Sequence, residues 1–397
     1  MRNDRSRILF VANRAEFFLS HRLPIARAVQ EKGFDVHVAT PHDPYVSVLQ
    51  ERGLVWHLLK LEGKSLNPFQ EVQTLLHLHR LYRDLQPILV HHIAFKAVLH
   101  GGLAARLAHV PNVVNAFTGL GHLFSNESIR VRLVRGVVLQ LSRLALGHSH
   151  SRTIFQNADN ADEFIRRGAL DREAMRLIKG SGVDLATFEA LPQSTTDLPV
   201  VILASRLVWD KGIGEFVKAA RQLRDDGVQA RFVLVGKSDP LNPKAVPEET
   251  LEAWNEKGFV EWWGFQEDMP SVFARSHIVC LPSYYREGVP KVLIEAAACA
   301  RPIVTTDMPG CREIVNDGDN GLLVPPRNSE ALADALRDIL TTSAEQRERM
   351  GKRGRRLVEE EFSLTRVVRN TMAVYEELLG KEMMEVPPPG PRNRPLS

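Results

Sequence analysis

The sequence predicts an α/β protein built from two parallel-sheet units of similar size. Three observations carry this. The chain has 397 residues, too many for one ordinary core and enough for two domains. Strand-length apolar runs alternate with helix-length amphipathic segments over residues 7–116 and again from residue 200 onwards, the pattern of a parallel sheet covered by helices on both faces. Between the two series, residues 181–198 form a turn-rich polar stretch with Pro192, Gln193, Ser194, Thr195 and Thr196, which marks a boundary.

In the first series residues 7–12 read as an apolar strand and residues 19–32 as a helix stopped by Gly33. Residues 35–39 form the second strand, ended by Pro41, then 46–53 a short helix and 55–58 a strand. Residues 68–85 carry leucines at helical spacing, 88–91 are strand, 96–108 helix and 113–116 strand. The second series places strands at 200–204, 231–235, 259–263, 278–281 and 303–305. Its helices are expected at 214–226, 269–274, 290–300, 329–340 and 344–361, with one more amphipathic helix at 365–379. The tail from residue 386 is rich in Pro and Arg and reads as disordered.

Composition is that of a globular protein. The three cysteines, Cys280, Cys299 and Cys311, have no disulfide-framework or zinc spacing. No secretory signal pattern opens the chain and no run approaches the roughly 20 apolar residues of a membrane-crossing helix, so a cytoplasmic location is expected. Charge is uneven: residues 1–190 hold 24 Lys and Arg against 17 Asp and Glu, and the remainder 27 against 31. Between Glu127 and Asp159 lie five arginines and no acid. A basic first half points to an anionic partner, either a phosphate-bearing substrate or an anionic membrane face. Residues 128–145 alternate arginines with Val, Leu and Ile, which reads either as a membrane-surface helix or as a buried helix with arginines at its margin.

The most informative stretch runs from Ser283 through Glu287, Gly288, Val289, Pro290, Lys291 and Val292 to Glu295. A loop carboxylate and a helix carboxylate flank a helix start at Pro290, where a missing N–H costs nothing. Such a terminus offers amides and a positive dipole end to a diphosphate. The plain alternative, a surface Glu and a second-turn Glu favoured by the dipole, is the stronger reading of spacing alone. Arg206 and Lys211 sit in a loop after the first strand of the second half and could neutralise a leaving diphosphate without a metal; a solvated basic loop is the alternative. Gly236, ending a strand before Lys237, lets backbone approach a ligand. In the first half, Thr118, Gly119, Gly121 and His122 follow a strand, His91 and His92 end another, Asn13 follows the first, and Ser20 and His21 open the first helix. A histidine at a strand end could bind phosphate or serve an acceptor, and is more often structural. No G-x-G-x-x-G follows residues 7–12, which argues against a dinucleotide oxidoreductase.

In combination these residues carry a resemblance. The E-x7-E element of Glu287 and Glu295, the Pro309-Gly310 and Asn320-Gly321 segments, and the R-x4-K element of Arg206 and Lys211 resemble family 4 of the retaining glycosyltransferases, of the GT-B type with two Rossmann-like domains. Residues 18–24, 65–69 and 118–121 are similar to bacterial transferases acting on undecaprenyl-diphosphate-linked sugars in polysaccharide and protein-glycan synthesis.

The resemblance implies an acceptor domain at residues 1–185, a nucleotide-sugar donor domain at 186–364, a helix at 365–385 packing back on the first domain, and a tail at 386–397. It implies that Glu287 contacts the donor sugar and Glu295 the ribose. Arg206 and Lys211 would hold the diphosphate, amides over residues 288–292 would assist, and Gly236 and Phe265 would approach the base. Asn13, His21, His92, Thr118, Gly119, Gly121 and His122 are expected on the acceptor side. Many family members carry a His-Gly pair where this chain has Thr118 to Gly121. The donor is expected to be a UDP-sugar used without a metal or other cofactor. The partners are a lipid-linked saccharide and the inner face of the cytoplasmic membrane, held peripherally, and no nucleic acid. A UDP-N-acetylhexosamine 2-epimerase of similar architecture and a non-catalytic sugar-nucleotide scaffold are the rival readings.

Overall fold

The computed structural model describes residues 6–61, 67–120, 129–190, 192, 198–240 and 242–384, with side chains in 129–134 and at residue 68 left aside. Its described part divides into two units. Residues 6–120, 129–178 and 367–384 form the first, and residues 179–366 the second.

Unit 1 holds strands β1 (Arg7–Val11), β2 (Asp35–Thr40), β3 (Val55–Leu58), β4 (Leu89–Ile93), β5 (Asn112–Phe117), β6 (Ser151–Phe155) and β7 (Met175–Leu177). They form one sheet in the order β3-β2-β1-β4-β5-β6-β7, every pairing parallel. Unit 2 repeats the design with β8 (Val200–Ala204), β9 (Arg231–Val235), β10 (Glu261–Trp262), β11 (Ile278–Leu281), β12 (Ile303–Thr306) and β13 (Gly321–Val324), in the order β10-β9-β8-β11-β12-β13 and again parallel throughout. Strand β8 is buried along its whole length, as a strand covered on both faces must be. Strand order reverses between β1 and β4, and between β8 and β11, and open α/β sheets bind ligands outside the carboxyl ends of strands at such points.

Several elements depart from the sequence reading. The expected helix at 19–32 is two helices, Ala15–His21 and Leu23–Glu31. Pro24 sits at the start of the second, has no N–H to continue the first and so divides them. The expected helix at 344–361 runs to Leu357 and then widens into a π turn, Val358–Phe362. Strands β6, β7 and β13 were not foreseen; β7 has only three residues and little period to read. The units part at Ile178, seven residues before the expected 185. Val183 is tied into unit 2, donating its N–H to the Phe362 carbonyl and accepting from the Leu364 N–H. The helix Leu364–Leu379 contributes Val367, Val374 and Tyr375 to the core of unit 1.

Candidate functional site

The site in unit 2 grows from the carboxyl ends of β8 and β11. After β8 the chain runs through Ser205 and Arg206 to a single turn, Trp209–Lys211, and enters the helix Ile213–Asp225 at Gly212. Gly212 has φ 77°, and a Cβ there would lie 2.2 Å from the Pro282 carbonyl oxygen. Only glycine lets the basic loop close on the loop that follows β11. That second loop runs from Pro282 to the helix Lys291–Ala298, with Pro290 as N-cap. Pro290 therefore stands one position before the first turn expected of it. Gly310 supports the loop from outside, since a Cβ there would lie 1.6 Å from the Gly288 carbonyl oxygen.

This packing brings two sequence-predicted residues together, Lys211 and Glu287. Lys211 Nζ lies 2.6 Å from Glu287 Oε2, and both side chains are 13% exposed. The other carboxylate oxygen, Oε1, accepts from Ser283 Oγ at 2.8 Å. Ser283 is fully buried and its Oγ also reaches the Asp210 carbonyl at 3.2 Å. Glu287 is thus fixed from both sides, and a charge-assisted bond of this kind is stronger than a neutral one. Arg206 is exposed. Glu295 is buried, with Lys291 Nζ 3.3 Å from its Oε1. Burial raises its pKa above the ordinary carboxylate value, and Lys291 opposes the rise. Beneath the loops the Cys311 thiol is buried and pushed up to about 12, chiefly by desolvation and then by Glu287.

Gly236 ends β9, but its backbone is committed. Its N–H donates to the Gly264 carbonyl at 2.8 Å, and its carbonyl accepts from Trp262 Nε1 at 2.9 Å. Two exposed groups stand at this end: Phe265, 55% exposed, and Lys237, with Nζ 5.1 Å from the ring centroid. Ser283, Asp210 and Lys237 stand inside the motifs read from the sequence, but none was given a role there.

The acceptor-side expectations in unit 1 meet a different environment. His92 is fully buried. Its Nδ1 lies 2.8 Å from Asn115 Oδ1 and its Nε2 2.9 Å from the Tyr82 hydroxyl. Burial holds the imidazole neutral, with its pKa lowered to about 4. With both nitrogens bound within the fold, the expected contact of His92 with an acceptor is corrected to a structural role. His21 ends the first helix, stacked on Phe17 with ring centroids 4.2 Å apart. Asn13 follows β1, and its Oδ1 is buried without a hydrogen-bond partner. Thr118 and Gly119 follow β5, both half-buried. Gly121 and His122 lie outside the described residues, as do the side chains of Arg130 and Arg132. An ion cluster the sequence did not announce stands after β4: Lys96 Nζ and His100 Nε2 lie 2.8 Å and 2.7 Å from the two oxygens of Glu71. Among the described residues no group of three His, Cys, Asp or Glu could hold a metal ion.

Known proteins match this arrangement along nearly the whole chain. A family described as glycosyl transferases group 1 matches residues 188–357, and one described as glycosyl transferase 4-like matches residues 7–150. The N,N'-diacetylbacillosaminyl-diphospho-undecaprenol alpha-1,3-N-acetylgalactosaminyltransferase of Campylobacter jejuni is 30% identical over 84% of this chain and 89% of its own length. The chain belongs to the group 1 glycosyltransferases. This transferase is also 25% identical, over 69% of its chain and 71% of the relative, to the UDP-Gal:alpha-D-GlcNAc-diphosphoundecaprenol alpha-1,3-galactosyltransferase of Escherichia coli. Its fold is that of the Anabaena HepE protein solved in complex with UDP and glucose, with a TM-score of 0.74 at 20% identity over 94% of this chain and all of that one. The two parallel-sheet units are therefore those of a GT-B glycosyltransferase.

Proposed function

We propose that this glycosyltransferase moves an N-acetylhexosamine or hexose from a UDP-sugar to a lipid-diphosphate-linked saccharide, with retention of the anomeric configuration, in bacterial surface polysaccharide or protein-glycan synthesis. The observation that carries the donor half is the Lys211–Glu287 pair beside an exposed Arg206 at the switch point of unit 2. The printed activities of the Campylobacter and Escherichia relatives support the acceptor half.

In this reading Lys211 and Arg206 neutralise the diphosphate, and Glu287 turns from Lys211 toward a hydroxyl of the donor sugar. The bond from the anomeric carbon to the diphosphate oxygen breaks as the acceptor hydroxyl oxygen bonds to that carbon. The hydroxyl proton leaves with the departing diphosphate. No side-chain nucleophile is required, and rate comes from positioning and from stabilising charge on the leaving group. The two cations take the place a divalent metal would fill, so chelators should leave turnover unchanged. Glu295 holds the ribose, and Phe265 with Lys237 meets the base.

Peripheral association with an anionic membrane face through the basic helix Ile129–Leu146 completes the reading. No helix among the described residues is long and apolar enough to cross a membrane. The test is a panel of UDP- and GDP-sugars with purified lipid-diphosphate acceptors, the product's anomeric configuration being read by NMR. Product with inverted configuration, or epimerisation of UDP-N-acetylhexosamine without acceptor, would overturn it.

A further inference from the structure

Unit 1 has charged groups of its own, one helical turn beyond the buried histidines of β4. The strand ends at Ile93, the chain turns at Ala94 with φ 73°, and the helix Phe95–Leu107 carries Lys96 in its first turn and His100 in its second. The helix Pro68–Leu85 packs along it and carries Glu71 in its own first turn. Both helices begin at the carboxyl edge of the sheet, as the crossover from one parallel strand to the next requires. Their positive dipole ends therefore lie near these side chains.

Glu71 is shared between two donors. Its Oε1 lies 2.8 Å from Lys96 Nζ and its Oε2 2.7 Å from His100 Nε2. The other ring nitrogen of His100, Nδ1, lies 2.8 Å from the Lys96 carbonyl oxygen. Carbonyl and carboxylate oxygens only accept, so both ring nitrogens donate. His100 is thereby fixed to the backbone of its own helix and holds Glu71 in place. Its side chain is 8% exposed, whereas those of Lys96 and Glu71 are 19% and 26% exposed.

Unit 2 is built the same way. There Glu287 pairs with Lys211 and keeps a second donor, Ser283 Oγ, on its other oxygen. In both units the lysine can change partner without leaving the carboxylate bare, and a carboxylate left without a donor is what makes such an exchange costly. His92 has no such freedom, since both its nitrogens are held inside the fold.

A lysine beside two helix amino ends suits an anion. To displace Glu71 the anion must carry more charge than one carboxylate, and a diphosphate does. We propose that Lys96 binds the diphosphate of the acceptor, leaving Glu71 to His100 as it does so. The proposal rests on the lipid-diphosphate acceptor of the reading above and names its contact in unit 1.

Two acceptors bearing the same saccharide test this, one a lipid diphosphate and the other an alkyl glycoside without phosphate. The preference of the wild type for the diphosphate, as the ratio of the two kcat/KM values, should fall roughly tenfold to a hundredfold in Lys96→Met. Lys96→Arg should recover most of it. Glu71→Gln keeps the shape, removes the competing charge and should lower the KM for the diphosphate acceptor. An unchanged ratio in Lys96→Met, or a raised KM in Glu71→Gln as well, would make the cluster a brace of the fold and overturn the proposal. Inorganic pyrophosphate probes the site without turnover. With the donor site filled by saturating UDP it should still raise the Tm of the wild type and not that of Lys96→Met, and equal shifts would overturn the proposal. A wild type that glycosylates neither acceptor would sink the acceptor reading, and the pyrophosphate shift would still decide Lys96.

Discussion

The two sheets share a topology and differ in what stands at their switch points. In unit 2 the strand ends hold acid–base pairs, Lys211 against Glu287 and Lys291 against Glu295, and an exposed Arg206. In unit 1 the last turns of β4 and β5 bury neutral ones. His91 lies 2.6 Å from the Tyr375 hydroxyl, and His92 is held between Tyr82 and Asn115. Burial pushes both imidazoles below their ordinary value, His91 well below it. One fold therefore serves two ends. Ion pairs beside an exposed arginine can exchange a partner with a ligand, whereas His92, bonded at both nitrogens to neighbouring side chains, fixes the scaffold.

The largest test of this contrast compares Glu287→Gln with His92→Gln. Glu287→Gln keeps the shape and removes the charge that Lys211 and Ser283 hold. Turnover should fall on the order of 10²–10³-fold, with UDP affinity by calorimetry little changed. His92→Gln should leave turnover of the folded enzyme near wild type and cost about 2 kcal/mol of stability in a denaturant titration, because Asn115 or Tyr82 loses a buried partner. Equal losses of turnover in both would break the distinction.

Two glycine substitutions sharpen it. Gly212→Ala drives a methyl against the Pro282 carbonyl oxygen, 2.2 Å away, at a positive φ, and so parts the loops that carry Lys211 and Glu287. Gly101→Ala drives a methyl into the His92 ring at the same 2.2 Å. Each should cost roughly 1–3 kcal/mol of stability. Only Gly212→Ala should also depress kcat, measured at saturating donor.

How much could be read beforehand follows the same line. The parallel-sheet fold was legible because strands covered on both faces are continuous apolar runs, as in β8 and β11. Motif residues on short loops were legible as residues, and Lys211 and Glu287 do meet at the switch point of unit 2. What holds them was not. Ser283 is a common loop residue in sequence, and its hydrogen bond to Glu287 depends on the Gly212–Pro282 approach, which joins segments about seventy residues apart. His92 was misjudged for a related reason. A histidine at a strand end looks the same whether its ring faces solvent or the Tyr82 hydroxyl, and the helix that supplies Tyr82 and Gly101's close approach are tertiary facts.

The buried imidazoles also make the stability of unit 1 depend on pH. An unfolded His binds its proton near its ordinary value of 6.5, whereas His92 and His37 on β2 do so only at about 4. Between those values the unfolded chain binds more protons, so stability is full above 6.5 and falls as pH drops toward 4. For fully buried His92 the effect is on the order of 3 kcal/mol. Denaturation midpoints between pH 7 and pH 4 should show this slope, and His92→Gln should flatten part of it. A slope of opposite sign would mean that these rings are charged in the folded protein.

The smallest effect lies at the other carboxylate of unit 2. Burial disfavours the charged form of Glu295, and Lys291 counters it from one turn earlier. Lys291→Met removes the countering charge and keeps the stem, so the Glu295 pKa should rise further. If ionised Glu295 holds the ribose, UDP binding in the variant should begin to fail at a higher pH than in wild type as the solution is acidified, while affinity at alkaline pH changes by less than about 1 kcal/mol. Calorimetric titrations with UDP across the acid range measure this. An unshifted acid limb would free Glu295 from ribose binding and leave the donor site resting on Glu287, Lys211 and Arg206.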